Sequence, residues 1–187
     1  NKMRITDVVT KKQVINGKVE LGVGVQTTLM SDTNFLIAIE FNGDRKVVPP
    51  TGEDVGTVEY FPVDKPKLWN PGTTPANGLY PLVVELMLKG RVMQRVSMNV
   101  GLSEIKLDQH PDIEGAPFRF MVNGEAVFMK GCNLVPPTIL PGRNGDLPWR
   151  ELVREMKKAN MNMVRVWAGG VYPPDAFYDA CDSAGIL

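Results

Sequence analysis

From Met3 to about Leu107 the apolar residues come in short runs that alternate with polar or small ones. A period of two suits half-buried strands, and no stretch here sustains a helical period. Lys18 to Thr27 (KVELGVGVQT) and Phe35 to Phe41 (FLIAIEF) show the alternation plainly. Asn42-Gly43 then offers the positive φ of a tight hairpin turn, Lys46-Val47-Val48 forms the returning arm, and Pro49-Pro50 ends the pairing. A second hairpin is predicted for Leu82 to Leu88 and Arg91 to Val100 across Lys89-Gly90, with Val84, Leu86 and Leu88 on one buried face. About seven such strands in roughly 105 residues predict an antiparallel sandwich of the immunoglobulin-like kind.

Between the hairpins, Lys65 to Leu82 is too rich in Pro, Gly and Asn to be strand throughout. The rings of Trp69 and Tyr80 are expected to pin this connection onto the sandwich, with sugar stacking by Trp69 as the alternative. The pattern changes after Asp108-Gln109-His110-Pro111, which divides the chain into domains 1–110 and 111–187. Pro117 to Val122 and Ala126 to Lys130 flank Asn123-Gly124, another hairpin signal, and the second arm runs into Gly131-Cys132-Asn133. A long loop, LVPPTILPGRNGD, follows.

Asp146 with Pro148 then opens a helix whose Trp149, Leu152, Val153 and Met156 fall on one face, with Lys157 and Lys158 suiting the dipole at its end. A buried strand over Met161 to Trp167 comes next and leaves through Gly169-Gly170. Pro173-Pro174-Asp175 starts a second helix with Phe177, Ala180, Cys181 and Ala184 on one face, and Gly185 stops it. Alternating strand and helix predicts right-handed βαβ units and a parallel sheet, the first units of an incomplete (β/α)8 barrel. The fold class is therefore mainly β, a sandwich followed by the start of a barrel. Its open edge would expose apolar surface and could drive association, while the oligomeric state stays open.

Parallel strands bind ligands at their carboxyl ends, and that is where Arg165, Trp167 and Asn133 fall. Two residues apart, Arg165 and Trp167 leave the same face of their strand, a cation beside a flat indole, which suits a sugar and a carboxylate. The alternative, Trp167 as core and Arg165 as a structural ion, is equally open at this point. Lys plus Arg and Asp plus Glu both total 21, so no net field favours nucleic acid or an anionic membrane, and a neutral partner such as a glycan fits better. No apolar run reaches the length of a membrane span. Two distant cysteines and one histidine complete neither a zinc site nor a disulfide scaffold, so no metal or cofactor is expected and both thiols read as small buried groups. NKMRITDVV has neither an initiator methionine nor a signal-peptide pattern, and AGIL stops where another strand is expected, so the chain reads as part of something longer. The compartment stays open.

Three stretches, LWNPGTTPANGLYPLVVEL, FRFMVNGEAVFMKGCNLVPPTILPGR and NMNMVRVWAGGVYPPDAFYDACDSAGIL, resemble glycoside hydrolase family 2, and within it the β-mannosidases. The resemblance implies a middle immunoglobulin-like domain followed by the beginning of a catalytic barrel. It implies retaining hydrolysis of terminal β-linked mannose from oligosaccharides or glycoconjugates, with two glutamates roughly 5 Å apart. Those glutamates would lie on later barrel strands beyond Leu187, so no acidic residue here takes a catalytic role and the fragment itself is expected to be inactive. Arg165 would hold the nucleophile ionised and Trp167 would line the mannose subsite. The resemblance makes a periplasmic, secreted or lysosomal location plausible.

Two positions depart from the family pattern: GCNL has Leu134 where an aromatic is usual, and WAGG has Ala168 where a glycine is usual. β-Galactosidases, β-glucuronidases, exo-β-glucosaminidases and endo-β-mannosidases share the architecture and remain alternative activities. A non-catalytic carbohydrate-binding or interaction module built on the sandwich is the alternative from another class.

Overall fold

A computed structural model describes residues 3–15, 18–28, 34–51, 56–72, 78–111, 113–137, 140, 145 and 147–187. The protein is mainly β: of the described residues 50% are in strands and 14% in helix, and they form no closed barrel. It divides into two compact units, residues 1–66 with 80–100, and residues 67–79 with 101–187.

The first unit holds two antiparallel sheets. In one, β1 (Ile5–Ile15), β2 (Lys18–Thr27) and β5 (Thr57–Val63) lie in the order β1-β2-β5. In the other, β3 (Phe35–Phe41), β4 (Asp44–Val48), β6 (Leu79–Leu88) and β7 (Arg91–Gly101) lie in the order β4-β3-β6-β7. The hairpin turns form where the sequence placed them. Asn42 and Gly43 have φ of 51° and 88°, and Lys89 and Gly90 have 48° and 77°. Both residues of each pair are in the left-handed region that a two-residue hairpin requires.

The alternation then decides what is buried. Val23, Ile37, Ile39, Val84 and Leu86 are wholly inaccessible to solvent. Across the core Phe41 of β3 meets Phe61 of β5 edge to face at 5.9 Å. At the rim the Gln94 side chain of β7 accepts a hydrogen bond from the Ile5 N–H at 2.8 Å and donates one to the Ile5 carbonyl at 3.2 Å. The two sheets thus share one interior and form a β-sandwich.

In the second unit β8 (Ile105–Asp108), β9 (Arg119–Val122) and β10 (Glu125–Val127) form a small antiparallel sheet in the order β10-β9-β8. Pairing of Leu107 with Phe120 and of Asp108 with Arg119 carries this ladder across position 110, where the sequence pattern changes. Two further strands, β11 (Gly131–Leu134) and β12 (Met163–Val166), pair in parallel and are joined by the helix α1 (Leu147–Lys158). The last element is α2 (Asp175–Ala184).

Trp149, Val153 and Met156 of α1 are buried with Phe177 and Cys181 of α2, on the apolar faces that the helical spacing marked out. Asp146, expected to open α1, lies outside the described residues, as do 138–139 and 141–144 of the preceding loop. Each helix ends on a left-handed residue, Asn160 after α1 at φ 59° and Gly185 after α2 at φ 70°. In both, the N–H of the residue that follows reaches back to the last turn: Met161 to the Met156 carbonyl at 3.0 Å, and Ile186 to the Cys181 carbonyl at 2.9 Å.

Two readings of single residues need correction. Trp69 is not anchored on the sandwich: its ring N–H donates to the Asp182 carbonyl at 2.9 Å and its backbone N–H to Leu102 at 3.3 Å, all within the second unit. A buried indole needs an acceptor, and the last turn of α2 has carbonyls to spare. Tyr80 does pack in the sandwich, its ring 5.6 Å from that of Phe41. Of the two thiols only Cys181 is buried. Cys132 is exposed, as are both of its neighbours, Gly131 and Asn133.

Candidate functional site

Gly131 begins β11 opposite Met163, and a Cβ there would overlap the Met163 carbonyl, so only glycine permits the strands to pair at this point. The parallel register then sets Asn133 against Arg165 and Leu134 against Val166. Alternation separates the two faces. Leu134 is buried, with Val164 and Val166 packed beside it in the cluster formed by the two helices. Asn133 and Arg165 are exposed on the opposite face, where the Arg165 Nη1 donates to the Asn133 Oδ1 at 3.0 Å. Trp167 continues the register, its N–H donating to the Leu134 carbonyl at 3.0 Å, and it is 45% exposed.

Asn133 and Arg165 therefore fall on one side at the carboxyl end of a parallel pair and are joined directly, and Trp167 follows just past the end of β12. The amide oxygen holds one nitrogen of the guanidinium, which leaves the rest of its donor fork able to reach an incoming oxygen. Around the pair is a shallow depression of about 280 Å³ lined by Met129, Gly131, Cys132, Asn133, Met163 and Arg165. Gly169 has a specific task beside it. A Cβ at 169 would run into the Trp167 ring, so glycine lets the indole lie against the returning backbone. Neither Gly169 nor Gly170 has a positive φ, which makes close approach, not backbone freedom, the reason for glycine at 169.

The departure at position 134 leaves this face untouched, because the Leu134 side chain belongs to the helix-packed core. One positioning residue has no periodicity to reveal it. Asn162 is 6% exposed, and its side chain accepts from the Lys130 N–H at 2.7 Å and donates to the Phe128 carbonyl at 3.0 Å. It fixes the start of β11 against the start of β12. On the other flank of β12, Val164 donates to the Leu187 carbonyl at 2.8 Å and Leu187 to the Asn162 carbonyl at 2.9 Å, the slanted pattern of another parallel pairing.

The opposite face of β12 borders an apolar cavity of about 310 Å³ whose wall includes Trp69, Val166, Phe177, Cys181 and Asp182. Burial pushes the Cys181 thiol up to about 12, with the charge of Asp182 adding to the shift, so it is a packing group and no nucleophile. Burial also raises the Asp182 carboxyl, and the charge of Asp179 raises it further. Among the described residues no three His, Cys, Asp or Glu side chains are grouped to hold a metal ion.

Residues 3–102 match the family described as glycosyl hydrolases family 2. β-Mannosidase B of Aspergillus fumigatus is 34% identical over 144 residues, 73% of this chain and 17% of that protein. β-Mannosidase B of Aspergillus terreus is 30% identical over 158 residues, covering 84% of this chain and 18% of the relative. The chain thus spans less than a fifth of the length of these relatives. Among solved structures, a β-D-mannosidase from Dictyoglomus thermophilum matches 100% of this chain and 24% of its own with a TM-score of 0.84 at 30% identity. An exo-chitosanase from Amycolatopsis orientalis shares the fold at 17% identity, with a TM-score of 0.75 over 99% of this chain and 22% of its own. With its fold, its parallel pair and these relatives in agreement, the chain belongs to family 2 of the glycosyl hydrolases.

Proposed function

We propose that the protein to which these residues belong is a retaining exo-β-mannosidase, releasing terminal β-D-mannose from oligosaccharides or glycoconjugates, and that Arg165, Trp167 and Asn133 form part of the wall around the mannose ring. On this reading residues 1–110 are the immunoglobulin-like middle domain, and β11, α1, β12 and α2 begin a (β/α)8 barrel. The observation that carries it is the Arg165–Asn133 pair, bonded at 3.0 Å on the exposed face of a parallel pair, beside a half-exposed Trp167. Identities of 30 to 34% to β-mannosidases support the choice of mannose.

The chemistry needs two carboxylates, one to protonate the leaving oxygen and one to attack the anomeric carbon, at roughly 5 Å separation. Both are assigned to later barrel strands, and the 187 residues alone are expected to show no turnover. Arg165 would hold the attacking carboxylate ionised and oriented through charge-assisted hydrogen bonds, with Asn133 fixing the guanidinium. Trp167 would offer a flat surface to the C–H face of the sugar.

The test is Arg165→Ala in the full-length enzyme, assayed on an aryl β-mannoside. Loss of a preorganised charged donor should lower kcat/KM by about a hundredfold or more. An unchanged kcat/KM, or a full-length enzyme that cleaves aryl β-galactosides or β-glucuronides in preference to the mannoside, would overturn the reading.

A further inference from the structure

The outer face of the three-stranded sheet carries an unexplained economy of side chains. Gly22 and Gly24 lie two apart on β2, the central strand, and so share a face. Neither has a positive φ, so the backbone does not call for glycine at either place. A Cβ at Gly24 would sit 3.7 Å from the Val9 carbonyl and 4.0 Å from the nearest Val58 methyl, ordinary contacts that any β-branched residue could accept. Glycine inside a strand costs about 0.5–1 kcal/mol relative to alanine, and without a conformational reason it marks a place where something approaches the backbone closely. At Gly22 that something is the ring of Tyr60, whose nearest carbon would be 3.1 Å from an added Cβ. At Gly24 no side chain of this face fills the space.

The result is a trough of about 340 Å³ with a backbone floor. The Tyr60 ring is 47% exposed on its wall, Val9 and Val58 are 51% and 45% exposed, and Lys11, Gln13 and Gln26 bring an ammonium and two amides to the lining. The volume is at the small end of ligand sites. Because β2 pairs with β1 and β5 along both sides, its ladder groups are spent and an approaching polypeptide cannot add to it as a strand. What remains on offer is one flat aromatic surface with side-chain donors and acceptors around it. That combination matches a pyranose, which has an apolar C–H face and a rim of hydroxyls.

We infer that this trough is a second glycan site, distinct from the Arg165 face, in which Tyr60 stacks on a sugar unit while the polar side chains at its edge take the hydroxyls. The choice of a β-mannoside as its ligand rests on the proposed function, whereas the trough itself does not.

The experiment titrates a β-1,4-linked mannooligosaccharide, and a cellooligosaccharide in parallel, into the 187-residue chain and its variants, following the Tyr60 and Gly24 amides by NMR. Tyr60→Ala should weaken binding about tenfold or more. Gly24→Val fills the floor without removing Tyr60 and should abolish binding while thermal unfolding stays at or above that of the parent, so loss of fold cannot imitate the result. Arg165→Ala should leave binding at the trough intact. Binding that survives Gly24→Val, binding lost only in Arg165→Ala, or no binding of either oligosaccharide would overturn the proposal. A trough that takes the cellooligosaccharide in preference to the mannooligosaccharide would uphold the site and count against mannose as the substrate.

Discussion

The two units dispose of their apolar surface in different ways. In the sandwich seven strands cover one another, and five core residues reach zero exposure. In the second unit, among the described residues, the parallel pair has helices on one face only, and the largest exposures of big apolar side chains are all found there: Ile113 at 103%, Tyr172 at 86%, Phe128 at 83% and Phe118 at 70%. Antiparallel hairpins close a core from neighbours near in sequence, whereas a parallel sheet hides both faces only when many βα units are assembled. The same contrast explains where chemistry can sit. A face that packing does not consume is free to present Arg165 and Asn133.

Breaking the first half of this comparison should give the largest effect. Phe41 is 1% exposed and meets both Phe61 and Tyr80, so Phe41→Ala should cost about 3–5 kcal/mol in urea unfolding. Phe128→Ala, at a position 83% exposed, should stay within about 0.5 kcal/mol. Equal losses would mean that exposure does not separate the two regions energetically.

A smaller effect sharpens the second half. Where the sandwich relies on apolar burial, the starts of β11 and β12 are also fastened together by one buried amide. Asn162→Ala would leave the Lys130 N–H and the Phe128 carbonyl without that side-chain partner, at a cost of about 2 kcal/mol. Hydrogen exchange at Lys130 should quicken more than exchange at Val84 in the sandwich, and equal acceleration at both would sink the claim that the clamp is local.

Much of the sandwich was legible because its signals are short-range. Asn42-Gly43 and Lys89-Gly90 name their own turns, and a period of two says which side chains go inward. The two helices were legible for the same reason, down to the stop at Gly185. The spacing of Arg165 and Trp167 predicts a shared face, and to this the structure adds the bond from Arg165 to Asn133. What the sequence concealed depends on contacts far apart in the chain. Trp69 finds its acceptor at Asp182, Asn162 reaches back to Lys130 and Phe128, and Cys132 is exposed although its residue type is usually buried. The run NMNM does carry a polar residue just before β12, which is itself only partly buried, but only the fold shows that the second asparagine faces inward.

The weakest effect compares two acidic groups held in opposite ways. Glu85 of the sandwich, 7% exposed, is bridged by Arg45 at 3.0 Å and Arg95 at 3.6 Å. Asp182, near the end of α2, is raised from the usual carboxylate value by burial first and then by Asp179. A carboxyl whose folded value lies above its unfolded one binds more protons in the folded state. Its favourable contribution is therefore complete below the ordinary value of 3.8 and is lost as the pH climbs through the raised folded value. Asp182→Asn removes the charge that burial and Asp179 oppose, so the variant should be the more stable protein at pH 7, by about 0.5 kcal/mol once solvent screening is allowed for. Near pH 3.5 its advantage should vanish. Thermal unfolding of both proteins across that range checks the sign, and a variant less stable than the parent at pH 7 would mean that the Asp182 carboxylate is held by a favourable contact that outweighs its desolvation.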